Sequence, residues 1–367
     1  MEDDLPYFLG FSAFPGIGPV RFRLLYNYFT SAKNAWFASA AELEEVGLGS
    51  ALCHAFVSFR STVEPEKYAD ALHKKHIGVL TITDPRYPRL LKEIPDPPFV
   101  LYIRGNKWTK GIDMNRSIAV VGTRKVSRYG SDVTRSIVSD LIAANCLIVS
   151  GMAYGVDAIA HETALKEGGA TIAVLGCGVD VIAPPSNERL YHAIIESGRG
   201  AVISEMPMGL RPNKGLFPAR NRIISGLCRG IVVTEGAEDS GALITARYAA
   251  EQGREVFAVP GPITNPYSRG PAKLIRQGAI LIESAGDILD ELQISSVQTD
   301  ASGKQRQIAD TVEERRVLGC LTRGQMHIDA IVNESGLTVS EVAGILTILE
   351  MKGLVKDIGE KEYRLIL

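Results

Sequence analysis

From residue 117 onward the chain repeats one beat: a short apolar run, a glycine or small polar residue at its end, then an amphipathic stretch. We expect strands at 118–122, 147–151, 171–176, 201–205, 231–235, 256–260 and 280–283. Between them, 130–144, 156–167, 188–197 and 241–252 carry apolar residues at helical spacing. Strands that are apolar on both faces must be covered on both faces, and parallel neighbours need a helix-sized crossover. The pattern predicts an α/β fold built on a doubly wound, mostly parallel sheet. Ligands of such sheets gather at the carboxyl ends of the strands, so the glycines and polar groups there are the site candidates.

The flanks read differently. Residues 1–66 suggest short helices around two glycine turns, Phe14-Pro15-Gly16-Ile17-Gly18-Pro19 and Val46-Gly47-Leu48-Gly49. Hydrophobic-Gly-hydrophobic-Gly before a helix is the helix-hairpin-helix pattern, whose backbone N–H groups can hold a phosphate. The same glycines also make tight helix connections. Arg21 and Arg23 follow the first turn, whereas Glu42, Glu44 and Glu45 precede the second and would repel phosphate. The prolines of 85–98 forbid a helix there, and 99–105 reads as an edge strand. Residues 67–292 form the expected core, and the polar, aperiodic 293–308 reads as a linker. In 309–367, helices are expected at Val312–Leu321, Ile328–Ser335 and 339–352, followed by a hairpin. That is the order of a winged helix-turn-helix.

Charge is the next constraint. With 40 Lys and Arg against 42 Asp and Glu among 367 residues, the chain has no bulk attraction for polyanions. An anion site must be local, and 206–234 offers one: Arg211, Lys214, Arg220, Arg222 and Arg229 without an Asp or Glu. Inside it runs Phe217-Pro218-Ala219-Arg220-Asn221-Arg222. Lys214 and Arg220 can neutralise phosphates, Phe217 can stack on a base, and Asn221 can hydrogen-bond a base edge. Cations beside a stackable ring suit single-stranded nucleic acid. The alternative buries Phe217 and pairs the arginines.

A second acid-free window lies between Asp113 and Asp132, where Gly122-Thr123-Arg124-Lys125-Val126-Ser127-Arg128 follows a strand and precedes a helix. Arg124, Lys125 and Arg128 there could clamp phosphate with the help of the helix N-terminus, or form an ordinary solvated turn. The next strand ends in Ser150-Gly151-Met152-Ala153-Tyr154-Gly155-Val156-Asp157, small enough for a ligand to approach the backbone. Asp157 and His161 share a helix face, where a structural hydrogen bond competes with acid–base or metal chemistry. Ser240 can cap the helix that Gly241 opens, and Glu235 is the carboxylate an enzymatic reading would use. No G-x-G-x-x-G turn occurs, which excludes an NAD or FAD oxidoreductase. Five scattered cysteines lack metal-ligand spacing, and no apolar run approaches the ~20 residues of a membrane helix. With no signal-peptide pattern, a cytoplasmic protein without metal or cofactor is expected. The 309–367 segment carries seven Lys and Arg against ten Asp and Glu, which argues against a groove-reading role.

Taken together, Gly122-Thr123-Arg124, the run from Ser150 to Asp157, Phe217 to Leu227, Glu235 to Ala246 and Ala258-Val259-Pro260-Gly261 resemble the DNA processing protein A family (DprA, also called Smf) over the whole chain. The resemblance implies a SAM-like or helix-hairpin-helix N-terminal domain, an extended Rossmann-like core and a C-terminal winged helix. It also implies a non-enzymatic mediator of natural transformation that binds incoming single-stranded DNA, protects it and loads the RecA recombinase, as a homodimer. By motif, Arg124 would clamp phosphate, while Lys214, Phe217, Arg220 and Asn221 line the strand's path. Gly122, Thr123, Gly151 and Met152 would form the floor. Ser127 belongs to the same set, and Lys125, Arg128, Arg211 and Lys273 are auxiliary. One departure is Gly270-Pro271-Ala272-Lys273-Leu274-Ile275, where the family often shows Gly-x-Asn-x-Leu-Ile; an Asn side chain is lost and a Pro gained, which changes the hydrogen bonds open to that turn.

Two other readings compete. The core also looks like that of LOG-type nucleotide phosphoribohydrolases, although the Pro-Gly-Gly-x-Gly-Thr loop of those enzymes is missing after Glu235. A transcription regulator using the winged helix is the third.

Overall fold

The computed structural model describes residues 4–105, 113–213, 215–294, 297–299, 305–307, 311–321, 324–352, 354–359 and 361–365, with backbone only for Phe217, Met351 and the strands at 297–299 and 305–307. Nine strands form one sheet: β1 Gly78–Thr81, β2 Val100–Arg104, β3 Ser117–Val121, β4 Leu147–Ser150, β5 Thr171–Val174, β6 Gly200–Ser204, β7 Gly230–Val233, β8 Glu255–Ala258 and β9 Ile280–Leu281. Their order is β1-β2-β6-β5-β4-β3-β7-β8-β9. The pairs β1/β2 and β2/β6 are antiparallel, and the remaining pairs are parallel. The chain order therefore reverses at β3, which has β4 on one side and β7 on the other. Such a reversal opens a crevice beyond the strand ends, because the two flanking crossovers leave in opposite directions.

The helices follow from the same pattern. Preceding β3 are α1 Leu5–Ala13, α2 Pro19–Phe29, α3 Ala32–Phe37, α4 Ala40–Glu45, α5 Ser50–Arg60, α6 Pro65–Lys74 and the single turn α7 Arg89–Lys92. The crossovers are α8 Arg128–Ala143, α9 Val156–Lys166, α10 Glu188–Glu196, α11 Leu216–Gly226, α12 Gly241–Glu251, α13 Arg269–Arg276 and α14 Ala285–Glu291. On one face of the sheet, Ile223, Ile224 and Leu227 of the α11 segment and Ala242, Ala246 and Ala249 of α12 share a core with Val121, Val149, Val174 and Val233. On the other, Tyr191 and Ile194 of α10 pack with Met152, Ala173 and Val202.

The first six helices surround an aromatic cluster of Phe8, Phe11, Phe22, Trp36 and Phe56. Phe22 stacks on Phe99 with ring centroids 4.0 Å apart, and Tyr102 of β2 joins the same core. The glycine turn before α2 is a packing device: a Cβ on Gly16 would fall 2.4 Å from Leu52 and 2.7 Å from Phe14. Arg21 donates to the Gly16 carbonyl at 2.8 Å and Arg23 to that of Pro95 at 3.0 Å, so both guanidiniums are engaged locally.

Two expectations are corrected in this region. The run at 99–105 is not an edge strand, because the short β1 pairs outside β2 and takes the edge. Nor do the prolines exclude helix throughout, since Pro88 precedes α7 as its N-cap, where no N–H is needed.

One compact unit comprises Met1–Ile142 and Cys146–Ile288, and a second comprises Leu289–Leu367 with Ala143–Asn145. Within the expected linker, β10 Val297–Thr299 and β11 Gln305–Gln307 pair antiparallel; the rest of 295–310 lies outside the described residues. Beyond it, α15 Val312–Leu321, α16 Ile328–Ser335 and α17 Val339–Met351 pack Val317, Ile331, Val342, Leu346 and Leu349 together. Strands β12 Met326–His327, β13 Val355–Asp357 and β14 Glu362–Leu365 form a sheet in the order β12-β14-β13. This is the winged helix. Thr338 and Glu341 close a capping box at the start of α17, which stops the preceding turn from propagating as helix.

Candidate nucleic-acid interface

Three loops leave the sheet at the reversal point: Gly122 to Ser127 after β3, Gly151 to Gly155 after β4, and Thr234 to Ser240 after β7. They border a pocket of about 660 Å³ lined by Gly122, Thr123, Arg124, Asp157, Arg220 and Asn221, with the start of α12 opposite. A second pocket of about 260 Å³ adjoins it and shares Arg124, Ala153 and Arg220.

The loops are bonded to one another. Thr123 N donates to the Glu235 carbonyl at 2.7 Å, and Val156 N donates to the Thr123 carbonyl at 3.2 Å. A Cβ on Gly122 would lie 2.6 Å from Val156 Cγ2, and Gly155, at φ +72°, faces the Thr123 carbonyl. These glycines admit the protein's own backbone. At Gly151 the close neighbour is the Arg220 guanidinium.

Glu235 completes the frame. It is buried, and its carboxylate accepts from Ser127 N at 2.9 Å, Ser127 Oγ at 2.6 Å and Asn265 Nδ2 at 2.9 Å. Gly130 leaves room for it: a Cβ there would sit 2.2 Å from Glu235 Oε2. Ser127 is thus a buttress for the β3 loop, and the enzymatic candidate Glu235 has its oxygens engaged by that loop.

On this frame stand the cations. Arg124, Lys125 and Arg128 are exposed, the last 3.9 Å from Asp132, a separation at which water competes. Arg220 is 5% exposed, and its Nη1 donates to the carbonyls of Gly151 at 2.5 Å and of Val174. Burial pulls its pKa down, partly opposed by Asp157. Arg220 therefore joins the carboxyl ends of β4 and β5 beneath the pocket, a more structural position than the sequence suggests. Asn221 accepts from Arg220 Nε at 3.1 Å and lines the pocket.

Arg222 departs furthest from expectation. Although its sequence window is acid-free, it pairs with Glu205 at 2.6 Å and Asp96 at 2.8 Å and is buried. Burial raises the Glu205 carboxyl, with Arg222 pulling the other way. Arg211 is exposed. Lys214 and the Phe217 side chain lie outside the described residues.

Three further residues change position relative to expectation. Met152, 1% exposed and at φ 60°, turns its side chain into the core, so only its backbone borders the site. Lys273 lines a neighbouring pocket with Arg247 and Gln277 that does not include Arg124. Pro271 is the third residue of α13, where a helix has no use for an N–H, so the departure at 270–275 costs no helical bond.

Asp157 and His161 are structural. Asp157 accepts from Gly151 N at 3.1 Å and Ala153 N at 3.3 Å, and burial raises its carboxyl. His161 Nδ1 meets Thr171 Oγ1 at 2.7 Å in the interior. Ser240 caps α12 through Ala242 N. Burial pushes the Cys177 thiol up to about 11, away from nucleophilic use.

One residue was missed as a candidate. Tyr154, quoted in the β4 motif only for its small neighbours, is 47% exposed and lines the smaller pocket. An aromatic ring left in water on a strand-end loop is the signal that could have found it.

Among the described residues no helix is long and apolar enough to cross a membrane. Comparison with known proteins gives a consistent result. A family model for DNA recombination-mediator protein A matches residues 78–293, and one for the DprA winged helix domain matches 302–358. Protein Smf of Synechocystis is 36% identical over 98% of this chain and 98% of its own length. DNA processing protein DprA of Bacillus subtilis is 42% identical over 62% of this chain and 75% of its own. The X-ray structure of DNA processing protein A from Streptococcus pneumoniae covers 78% of this chain and 96% of that one, at 35% identity and a TM-score of 0.66. That of Helicobacter pylori, described for its single-stranded DNA binding mode, covers 59% and 95% at 30% identity and a TM-score of 0.52. The chain belongs to the DNA recombination-mediator protein A family, with that family's Rossmann-like core followed by its winged helix.

Proposed function

We propose that the chain binds single-stranded DNA across the carboxyl ends of β3, β4 and β7, in the cytoplasm, and performs no bond chemistry. The observation that carries this reading is the β3 loop. Arg124, Lys125 and Arg128 are exposed on a backbone held at both sides by hydrogen bonds, beside a pocket at the sheet's reversal point. Cations on a preordered loop lose little entropy when they meet phosphates. Lys214, Phe217 and Asn221 extend the path, with Thr123 and the backbone of Gly122, Gly151 and Met152 as its floor and Arg211 as a flanking charge. The Helicobacter relative, described by its single-stranded DNA binding mode, supports the ligand class. The family resemblance supports the finer role: protection of incoming DNA, loading of RecA recombinase and action as a homodimer during natural transformation.

A salt titration with oligothymidylate and a duplex of equal length tests the binding. The single strand should bind more tightly, and log K should fall with log salt by about 0.7 per phosphate neutralised. Arg124→Ala and Lys214→Ala should lower affinity for every sequence and flatten that slope. Equal affinity for the duplex, or wild-type binding by both variants, overturns the proposal. Faster assembly of RecA on the same oligonucleotide in the presence of the chain would test the loading role.

A further inference from the structure

The smaller pocket differs in chemistry from its neighbour. Its walls include Tyr154, Pro184, Pro185 and Pro212, while Arg124 and Arg220 lie where the two pockets meet. At about 260 Å³ it falls below the ~300–1,000 Å³ typical of sites for a whole drug-sized ligand, and suits a single ring system. A tyrosine ring and prolines offer flat apolar surface with few competing hydrogen bonds. Such a slot favours a flat ligand whose polar edges stay outside.

The slot is also rigid. Ala153 N is held by the buried Asp157 carboxylate, and Gly155 is pressed against the backbone of Thr123 and Arg124. Asn187 Nδ2 donates to the Met152 carbonyl at 2.9 Å, which ties the Tyr154 loop to the turn Pro185–Asn187. Tyr154 and the Pro184–Pro185 side of the wall are thus parts of one frame, and 47% of the tyrosine remains open to water. A ligand spanning both pockets needs a flat ring on one side and an anion on the other. A nucleotide unit has that form.

We propose that Tyr154 and the wall of Pro184, Pro185 and Pro212 form a nucleobase slot that receives one base of the bound strand while its phosphate lies against Arg124. The slot rests on the reading that this face binds single-stranded DNA, and it adds a base contact from a ring other than that of Phe217. It accepts any base, because stacking uses the ring face that all bases share.

The full-length chain, Tyr154→Ala and Tyr154→Phe are compared on oligothymidylate and on an abasic strand of the same length, after thermal melting shows that each variant is folded. Wild type should prefer the strand with bases. Tyr154→Ala should lose about 5- to 150-fold on that strand, the factor that corresponds to stacking of about 1–3 kcal/mol at 1.4 kcal/mol per tenfold. It should bind the abasic strand as wild type does, and Tyr154→Phe should behave as wild type on both. Wild-type affinity in Tyr154→Ala, or an equal loss on both strands, overturns the slot and leaves the DNA-binding reading standing. Binding of neither strand by wild type overturns both. Thymidine monophosphate serves as competitor: displacement at concentrations matching the oligonucleotide would make this a mononucleotide site and overturn its assignment to a polymer.

Discussion

The guanidinium of Arg220 fills the space that a side chain on Gly151 would need, since an added Cβ would lie 2.5 Å from Arg220 Nη1. A flexible arginine tip can usually step aside. This one is held by the carbonyls of Gly151 and Val174, so it cannot move without leaving buried oxygens unpaired. Gly151→Ala should therefore cost about 1–3 kcal/mol, the range for overpacking a filled site. Urea denaturation would check it, and an unchanged midpoint would show that the guanidinium is free to relocate.

Removing Arg220 should be worse than crowding it. Asp157 lies within electrostatic reach and is already raised by burial, with Arg220 pulling the other way. Arg220→Ala removes that charge and also leaves the Gly151 and Val174 carbonyls without their donor, at about 1–3 kcal/mol for each buried group left unsatisfied. Arg220→Lys keeps the charge and loses the guanidinium's directed fork, so its stability should fall between the two. Equal stability of the three proteins in urea would contradict this account.

Arg222 and Arg124 should separate stability from binding. Arg222→Ala strands Glu205, whose side chain is 11% exposed, and should destabilise by about 3–5 kcal/mol, the range for breaking a buried pair. Asp96, at 42% exposure, adds little because water can replace the partner. Arg124→Ala on the exposed loop should cost less stability than Arg222→Ala while weakening DNA binding. If Arg222→Ala were as stable as wild type, the ion pairs seen with Glu205 and Asp96 would carry no net weight.

That contrast shows what a sequence exposes and what it hides. The seven expected strands and the three helices of the winged domain were legible within a few residues, because two-sided apolar runs and helically spaced apolar residues are local signals. Partners distant along the chain were not. Arg222 finds Asp96 126 positions away, and Glu235 finds Ser127 108 positions away. A window without acids in sequence is therefore not a window without acids in space. β1 escaped notice for another reason: Gly78–Thr81 has a single buried position beside exposed and half-buried ones, so it lacks the two-sided apolar run that marks equally short strands such as β4. The glycines of the strand ends were legible as close approaches, but sequence does not tell whether ligand or backbone does the approaching.

His161 should impose a pH dependence on stability. Thr171 gives its single hydroxyl proton to the Ile148 carbonyl at 3.0 Å, so it accepts from His161 Nδ1–H, and the buried Nε2 has no partner among the described residues. Burial holds this ring neutral, with its pKa pushed down to about 3 from 6.5. Between those values the unfolded chain binds a proton that the native state refuses. Stability is full above about pH 6.5 and falls as the pH drops through the window, by at most about 1.4 kcal/mol per unit. The raised carboxyl of Asp157 acts in the opposite sense, because protonation relieves its burial. The difference between wild type and His161→Gln across pH 4 to 7 isolates the histidine, about the two ends of that range. Parallel curves would show that His161 takes its proton in the folded state.

Glu235 offers the sharpest separation of a scaffold from a catalyst. Its two oxygens receive Ser127 N, Ser127 Oγ and Asn265 Nδ2, which fixes the loop that presents Arg124. Glu235→Gln keeps the shape but turns one acceptor into a donor, and that amide then faces N–H and O–H groups already pointing inward. Each mismatched donor leaves a buried polar group unsatisfied, so the variant should lose about 1–3 kcal/mol of stability. A loosened loop must be reordered on binding, so affinity for single-stranded DNA should fall as well, with the salt slope unchanged because no cation is removed. A carboxylate acting in nucleotide hydrolysis would behave differently: wild type would release free base from a nucleoside monophosphate, and Glu235→Gln would abolish that release while folding normally. Loss of stability and affinity together, without base release by either protein, is the outcome the geometry requires.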